Sequence, residues 1–378
     1  MLTLFCLIFS SCKGYDGGET QTKEEGNDKI EIGMSFDSFV IERWQRDRDV
    51  FVSTAKEMGA TVNVQSASGD IKKQIEQIEY FIKKNVDVIV IICIDSDSLK
   101  AVVSKAKDAG IKIVAYDRLV TNSNADLYIT FDNEMVGTLM ATALADNGAE
   151  GGKVLMLEGS PLDNNVPMVR KGFLGVCEER SMAIADAINC DGWRAELAAD
   201  YVYENEDIVS SVDAIMCGND NIAGQVIRAL SEKRLAGNVP VVGQDADLEA
   251  CQRIVEGTQT MTVYKPVEKL AKRAAECAIS LAKGEELTGD DVTTIFDGSY
   301  DISYIGLEPV AVTKDNIDEV IINSGFHLKE DVYLNVSEPE PENRLFKICS
   351  YNGKKLRRPI RSAKYSDSVF FFLPKKKK

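Results

Sequence analysis

The chain has 378 residues, of which 44% are hydrophobic, and its formal net charge is −16. That length and hydrophobic fraction are sufficient for two domain-sized cores. The charge argues against a nucleic-acid partner, because binding to a phosphate backbone depends on clustered Lys and Arg that release counterions. The same negative charge favours solubility, and we expect a monomer.

The first residues have the pattern of an export signal. Residues 1–12 contain an apolar run followed by small residues, and this stretch is too short to span a bilayer. Ser10-Ser11-Cys12 resembles a lipoprotein cleavage box, in which Cys12 would carry the lipid. Residues 13–28 have the composition of a flexible tether. We therefore expect a periplasmic or cell-surface protein that is held to a membrane only through a lipid anchor.

Two features of this N-terminus leave an alternative open. No Lys or Arg precedes the apolar run, and Phe9 stands where Leu is usual. A misplaced gene start, or simple export with Cys12 unmodified, also fits the sequence.

From Lys29 onward, apolar runs of strand length alternate with amphipathic segments. Runs such as Val86 to Ile92 are rich in β-branched residues and lack polar alternation, which is typical of buried parallel strands. Between the runs, residues 71–84 place isoleucines at spacings of three and four and predict a helix with one apolar face. Gly59 and Gly110 stand where a helix C-cap requires a positive φ. Such strand-helix-strand units predict a doubly wound parallel sheet.

A second series of alternating strands and helices starts near Asn133. Two series in tandem predict an α/β protein of two doubly wound, Rossmann-like lobes. We assign residues 29–131 and 265–292 to the N-terminal lobe, and residues 132–264 and 293–330 to the C-terminal lobe. The chain is expected to cross between the lobes near Phe131, near Val263 and again between Thr293 and Asp297, which makes a three-strand hinge.

The C-terminal segment differs in composition from the rest of the chain. The sequence Glu338-Pro339-Glu340-Pro341 interrupts regular structure, and residues 354–378 are strongly basic. A basic tail can contact a membrane or nucleic acid. We instead expect residues 331–378 to be a disordered extension or the product of a disrupted reading frame, and we assign them no function.

The sequence contains none of the common motifs for metal binding or catalysis. Its nine cysteines form no C-x-x-C pair, and His327 is its single histidine, so we expect no metal site. Cys93 and Cys217 lie in apolar runs and are expected to be buried thiols. P-loop, G-x-G-x-x-G, G-x-S-x-G and H-E-x-x-H motifs are absent. We therefore predict a protein that is not an enzyme and has no cofactor.

Polar and aromatic side chains follow six of the apolar runs, and in open α/β sheets ligands bind at the carboxyl ends of strands. Arg offers several fixed donors, carboxylates accept hydrogen bonds and Asn does both, so such residues can pair the hydroxyls of a sugar. An anionic substrate would favour an excess of cations or helix N-termini over Asp. The strand-end residues are Asp37, Arg43, Trp44, Asp117, Arg118, Asp163, Asn164, Asn165, Asn219, Asp220, Gln244, Asp245 and Lys265.

Several long motifs from about Ile30 to His327 resemble, in the same order, the periplasmic D-xylose-binding proteins of ABC transporters. The resemblance implies the type I periplasmic-binding fold, a monosaccharide ligand similar to xylose, and a membrane permease with ATPase subunits as partners. The motifs are E-R-W-Q-R-D-R-D at 42–49, A-Y-D-R at 115–118, F-D-N-E at 131–134, G-S-P-L-D-N-N at 159–165, G-Q-D-A-D-L at 243–248 and G-T-Q-T-M-T-V-Y-K-P at 257–266.

The resemblance also implies which residues bind the sugar. From the first lobe it implies Arg43, Asp117 and Arg118. From the second lobe it implies Asp163, Asn165, Asn219 and Asp245. The same resemblance makes Lys265 a further polar contact, while Trp44 and Trp193, the two tryptophans of the chain, are expected to stack on the sugar.

Each of these residues also has a purely structural interpretation. Arg43 lies in a charged run that could be a solvated helix face, and Asp117-Arg118 could cap the next segment. The segment 163–165 suits a turn or a helix N-cap, and for Asn219 and Asp245 a capping role is locally about as probable as ligand binding.

We expect closure of the lobes around the sugar to be the basis of function, since only a closed form brings residues of both lobes together. Three alternatives are weighed against it. A glycosidase could use Asp163 and Asp245 as its pair of carboxylates. A transcriptional regulator would need an N-terminal helix-turn-helix, which is absent here. A receptor for chemotaxis or signalling would have the same sequence features as a transport protein.

Overall fold

The computed structural model describes residues 29–336, together with the strands Phe346–Tyr351 and Lys354–Pro359. The predicted export signal at residues 1–12, its Cys12, and the predicted tether at 13–28 lie outside the described residues.

Short apolar strands alternate with helices along the described chain, as the hydrophobic pattern predicts. The strands are β1 (Glu31–Phe36), β2 (Thr61–Ser66), β3 (Val88–Ile91), β4 (Lys112–Tyr116), β5 (Leu127–Phe131), β6 (Lys153–Glu158), β7 (Ala183–Asn189), β8 (Ala214–Cys217), β9 (Val241–Gln244), β10 (Met261–Tyr264), β11 (Thr293–Phe296), β12 (Asp301–Leu307), β13 (Val310–Val312), β14 (Phe346–Tyr351) and β15 (Lys354–Pro359). The α-helices are α1 (Arg43–Glu57), α2 (Ile71–Lys84), α3 (Lys100–Asp108), α4 (Asn133–Leu144), α5 (Asn165–Glu179), α6 (Glu196–Glu204), α7 (Glu206–Val209), α8 (Asp220–Glu232), α9 (Leu248–Glu256), α10 (Val267–Ala282) and α11 (Lys329–Val332).

The helix α2 shows how local sequence sets these boundaries. Asp70 precedes it in an extended conformation, and its carboxylate accepts hydrogen bonds from the backbone N–H of Lys72 and Lys73. The helix ends at Asn85, which adopts the left-handed conformation that Asn tolerates. Its bounds are those predicted from the isoleucine spacing. Gly59 and Gly110 also have the positive φ expected of them.

The strands form two main sheets, each covered by helices on both faces. The order in the first sheet is β11-β12-β5-β4-β3-β1-β2, and in the second it is β13-β10-β9-β8-β6-β7. Pairing is parallel in each sheet except at one edge, where β11 and β13 run antiparallel to their neighbours. Buried clusters lie on the two faces of each sheet. This confirms the prediction of two doubly wound α/β lobes.

The chain crosses between the lobes at three places in the described range, and the prediction of the third place was wrong. The first two crossings follow β5 and β10, as expected. Thr293 to Asp297 is not a crossing, because β11 pairs with β12, and β12 pairs with β5 of the first sheet. The chain crosses only after Leu307, where β13 joins β10 of the second sheet. The hairpin of β11 and β12 therefore belongs to the first lobe, although residues 293–330 were assigned to the second.

The end of the described chain packs on the second lobe. Val312, Ile321, Phe326 and Val332 are buried in one cluster with residues of α9 and β10. The predicted tail boundary at residue 331 therefore lies too early, because α11 extends to Val332 and this side chain is fully buried. Beyond it, β14 and β15 form an antiparallel pair, which differs from the disordered extension that was one of our two expectations for this segment. Residues 337–345, 352–353 and 360–378 lie outside the described range.

Three further findings concern the thiols, the helices and the possible metal ligands of the described residues. Between residues 29 and 336 the cysteines Cys93, Cys177, Cys190, Cys217, Cys251 and Cys277 are buried and unpaired, so Cys93 and Cys217 are core thiols as predicted. In this same part of the chain we find no helix with the length and apolar character needed to cross a bilayer. Nor do its His, Cys, Asp and Glu residues form a cluster that could hold a metal ion.

Close packing of α4 on α5 generates a stability prediction. A Cβ atom at Gly172 of α5 would overlap the carbonyl oxygen of Glu134, whereas a Cβ at Gly175 of the same helix meets nothing within 4 Å. We expect Gly172→Ala to lower the free energy of unfolding by about 2 kcal/mol or more, because the helix backbones must separate. Gly175→Ala, the matched control, should be neutral or stabilise by about 0.5–1 kcal/mol. Urea denaturation measures both, and equal effects of the two variants would contradict this account of the packing.

Candidate ligand-binding site between the lobes

A small cavity lies between the carboxyl ends of the two sheets. The space between its lining atoms is about 320 Å³, part of which is open to solvent. Each strand of a parallel sheet delivers the residues that follow it to the same edge, so loops distant in sequence meet here. The lining residues are Ile41, Arg43, Trp44, Asp117, Arg118, Asn133, Asp163, Asn165, Trp193, Gln244, Asp245 and Lys265.

Nine of the ten residues predicted for the site line this cavity. Those from the first lobe are Arg43 and Trp44 at the start of α1, and Asp117 and Arg118 after β4. Those from the second lobe are Asp163, Asn165, Trp193 and Asp245, with Lys265 at the crossing after β10.

Asn219 is the exception, because its side chain caps a helix. It precedes α8 in an extended conformation, and its amide oxygen accepts the backbone N–H of Ile222 at 2.9 Å. Asn219 does not line the cavity. Its capping role, which local sequence made about equally plausible, is the one that the structure shows.

Three residues that line the cavity were not among the ten predicted for the site, although Gln244 was among the strand-end residues. Asn133 begins α4 directly after the first crossing, and its amide donates to Asn165 Oδ1 at 3.1 Å. Gln244 ends β9, and its amide nitrogen donates to the carbonyl of Gly218 at 2.5 Å. Ile41 is the apolar member of the set. Asn133 and Gln244 both stand in motifs that we had singled out, and Gln244 directly precedes Asp245, so these motifs were the available signal.

Arg118 is buried and joins the two lobes through its ion pairs. Its guanidinium lies 2.8 Å from Asp37 of its own lobe and 2.7 Å from Asp163 of the other. Burial raises the pKa of Asp163 above its ordinary value, an effect that the charge of Arg118 only partly offsets.

Arg43, at the start of α1, also forms ion pairs with carboxylates of both lobes. It lies 3.0 Å from Asp47 and 2.9 Å from Asp117 in the first lobe, and 3.9 Å from Asp245 in the second. Lys265 lies 3.2 Å from the same oxygen of Asp245. Burial alone would raise the pKa of Asp117, but Arg43, Lys265 and Arg118 lower it below the ordinary value, so this carboxylate is charged.

The charges that line the cavity cancel. Three cations, Arg43, Arg118 and Lys265, face three carboxylates, Asp117, Asp163 and Asp245. A buried site with balanced charge favours an uncharged ligand, because a charged one would leave an unpaired charge in a desolvated place.

The two indoles both lie near Arg118. Its guanidinium carbon is 5.6 Å from the ring centre of Trp44 and 5.9 Å from that of Trp193. Both indole nitrogens, like Gln244 Oε1, are buried and find no hydrogen-bond partner among the residues that the structure describes. Buried polar atoms are usually paired, so these atoms are available to a ligand. Gly159 allows Trp193 its position, because a Cβ there would overlap the indole.

The fold and the cavity between its two sheets are those of a two-lobed binding protein. The chain matches the family described as the periplasmic binding protein domain over residues 32–286, and it belongs to that family.

Known proteins that resemble the chain agree with this assignment. It is 46% identical to the D-xylose-binding periplasmic protein of Haemophilus influenzae over 310 residues, which cover 80% of this chain and 92% of that protein. It is 43% identical to the D-xylose-binding periplasmic protein of Escherichia coli K12, with 80% and 93% covered. A solved solute-binding protein of an ABC transporter from Clostridium phytofermentans, with bound β-D-glucose, superposes with a TM-score of 0.71 at 27% identity and covers 80% of this chain and 99% of that one.

The capping role of Asn219 can be tested by its effect on stability. We expect Asn219→Ala to lower the free energy of unfolding by about 1 kcal/mol, because an N–H of α8 loses its acceptor. Asn219→Ser keeps an oxygen that can accept this hydrogen bond and should recover most of the loss. Thermal unfolding of both variants measures the difference, and a fully stable alanine variant would argue against the cap.

Proposed function

We propose that the cavity binds D-xylose or a similar monosaccharide and that the closed protein delivers it to the permease of an ABC transporter. The observation that carries this proposal is the balanced set of charged side chains lining the cavity together with two indole rings. Membership of the periplasmic binding protein family and similarity to two D-xylose-binding proteins support it.

The side chains in the cavity match the chemistry of a sugar. Carboxylates and amide oxygens accept hydrogen bonds from hydroxyl groups, whereas guanidinium, ammonium and amide N–H groups donate to them. An aromatic ring covers the apolar C–H face of a sugar, and Trp44 and Trp193 come from opposite lobes. We infer that the sugar lies between these two indoles.

Closure would couple binding to transport. Arg118 and Arg43 each contact carboxylates of both lobes, so the polar surroundings of the sugar are complete only when the lobes are shut. A ligand shifts an equilibrium between open and closed forms by its differential affinity for the two. The sugar therefore stabilises the closed form, which the permease would recognise.

We further propose that the protein carries out no chemistry on the sugar. The two carboxylates that a glycosidase would need, Asp163 and Asp245, lie in ion pairs with Arg118 and Lys265. Both carboxylates are therefore engaged by cations, and neither is free to flank a glycosidic bond as a glycosidase requires. Incubation with aryl xylosides should release no aryl group, and release would contradict this proposal.

The cellular setting follows from the sequence. We propose that residues 1–12 direct export, that Cys12 carries a lipid, and that the protein works as a monomer outside the cytoplasm. Mass spectrometry of the protein from its native membrane would detect the lipid on Cys12.

Binding can be tested by calorimetry with D-xylose and its relatives ribose, arabinose, glucose and galactose. We expect one site per chain, and we expect Arg118→Ala to weaken xylose binding at least a hundredfold, because it leaves Asp37 and Asp163 buried without their cation. Arg48→Ala removes an arginine of the same size from α1, outside the cavity, and should bind like the unmodified protein. Unchanged affinity of Arg118→Ala would place the site elsewhere.

Hydrogen bonds between the lobes outside the cavity generate a separate prediction. Ser96, in the loop after β3, donates from its backbone N–H and its hydroxyl to the carbonyl of Leu162, and its hydroxyl accepts the N–H of Asn164. Each such bond contributes about 0.5–1.5 kcal/mol net. We expect Ser96→Ala to destabilise only the closed form and to raise the Kd for xylose roughly fivefold, at about 1.4 kcal/mol per factor of ten.

The matched control for this prediction lies in the same loop. The hydroxyl of Ser98 bonds to Asp95 within the first lobe, so Ser98→Ala should leave affinity unchanged. Calorimetry compares the two variants, and small-angle scattering without sugar should show a larger radius of gyration for Ser96→Ala. Equal affinities would exclude a role for Ser96 in closure.

A further inference from the structure

The turn that carries Asp245 into the cavity has an unfavourable backbone conformation. Asp245 has a φ of 100° and Ala246 a φ of 55°, a region that residues with a side chain rarely adopt. Such conformations persist only where surrounding contacts hold them. The position of the Asp245 carboxylate beside Lys265 therefore depends on what holds residues 245–247.

Hydrogen bonds from outside the cavity hold this turn. The N–H of Ala246 donates to the hydroxyl of Thr262 at 3.1 Å, and that hydroxyl donates to Asp220 Oδ2 at 2.6 Å. The N–H of Asp247 donates to the same carboxylate oxygen at 3.2 Å. The ring nitrogen Nε2 of His327 lies 2.8 Å from the carbonyl oxygen of Ala246.

Asp220 is the acceptor on which these bonds converge. It is fully buried at the start of α8 and does not line the cavity. Its other oxygen accepts from the amide of Gln259 at 2.7 Å. A Cβ on Gly243 would overlap that oxygen, so the glycine at this strand position makes room for the carboxylate. The Asp220 carboxylate accepts hydrogen bonds from three donors, the Thr262 hydroxyl, the Asp247 N–H and the Gln259 amide. The ionised carboxylate can accept from all three.

Charged and titratable groups face Asp220 from several elements. Asp245 and Asp247 lie in the turn, and Arg253 of α9 donates to the backbone carbonyl of Asp220 at 3.0 Å. The charge of Glu42 also raises the pKa of Asp247. The thiols of Cys217 and Cys251 lie near Asp220 as well. Within residues 29–336 no Lys or Arg forms an ion pair with the Asp220 carboxylate.

We propose that Asp220 is a positioning residue, whose ionised carboxylate holds the strained turn through Thr262 and the N–H of Asp247 and thereby places Asp245 against the ligand. This inference rests on the proposed function, because it concerns the affinity of the same cavity for a sugar.

The proposal has a consequence for the pH dependence of binding. Burial raises the pKa of Asp220 to about 7, and the charge of Asp245 acts in the same direction, against Thr262, Arg253 and Gln259. Burial also raises the pKa of the neighbouring Asp247, as does the charge of Asp220. The ionised carboxylate of Asp220 holds the turn at residues 245–247. The turn is therefore supported above pH 7 and loses this support as the pH falls through 7.

The test is calorimetry with D-xylose at pH 6, 7 and 8. We expect the affinity of the unmodified protein to fall between pH 8 and pH 6. Asp220→Asn should bind at least tenfold more weakly at pH 8, because an amide cannot accept from all three donors, and its affinity should lose the change centred on pH 7. Burial lowers the pKa of His327, which faces the turn at Ala246, so this histidine titrates at lower pH. If Asp220→Asn has the same affinity and the same pH profile as the unmodified protein, the proposal is overturned.

A second pair of variants tests the same contact without touching the carboxylate. Thr262→Val removes the hydroxyl between Ala246 and Asp220 at nearly constant volume, whereas Thr262→Ser retains it. We expect the valine variant to bind xylose at least fivefold more weakly and the serine variant to bind normally. If the two bind equally, Thr262 does not support the turn and the proposal fails, even where Asp220→Asn does not fold.

The variant Asp247→Asn tests whether the pH dependence of binding arises from Asp220 or from Asp247. This variant keeps the N–H donor but removes the adjacent carboxylate, so the pH midpoint should move to lower pH. Loss of all pH dependence in Asp247→Asn would assign the titration to Asp247 and overturn the role of Asp220. If the unmodified protein binds no xylose at any pH, it is the proposed function that fails.

Discussion

Burial of charged side chains between two lobes is tolerated only if each charge has an opposite charge beside it. Arg118 satisfies this condition with one carboxylate from each lobe, Asp37 and Asp163. Breaking such a buried pair is strongly unfavourable, since it leaves an uncompensated charge away from water. The closed arrangement of the lobes and the charge balance of the cavity are therefore two aspects of one constraint.

The same constraint accounts for the ligand that the cavity suits. Because its cations and carboxylates already cancel, a charged ligand would upset the balance, whereas hydroxyl groups can donate to the carboxylates and accept from the cations. The unpaired nitrogens of Trp44 and Trp193 add two donors, one from each lobe. Affinity then depends on geometry more than on net charge, which is why the hydrogen bonds behind the cavity are expected to matter.

Asn219 and Asp220 illustrate how adjacent polar residues acquire different roles. Asn219 caps α8, while Asp220 reaches across to the turn after β9 and to Thr262 on β10. Neither lines the cavity, yet both stand after a strand at the edge of the sheet where ligands bind. A strand-end position by itself therefore does not distinguish a residue that lines the cavity from one that supports the residues lining it.

The sequence by itself determined the features that depend on neighbouring residues in the chain, which are the strands, the helices and the polar residues that follow each strand. Apolar strand runs and the isoleucine spacing of α2 predict two doubly wound lobes. The polar residues after each strand, together with the family resemblance that they carry, predict nine of the residues that line the cavity. Only the tertiary structure decided that β11 and β12 extend the first sheet before the third crossing, that Asn219 faces its own helix, and that Val332 is buried on the second lobe. The physical reason is that strand pairing and side-chain partners depend on residues far apart in the chain, and a local pattern contains no information about which of them meet.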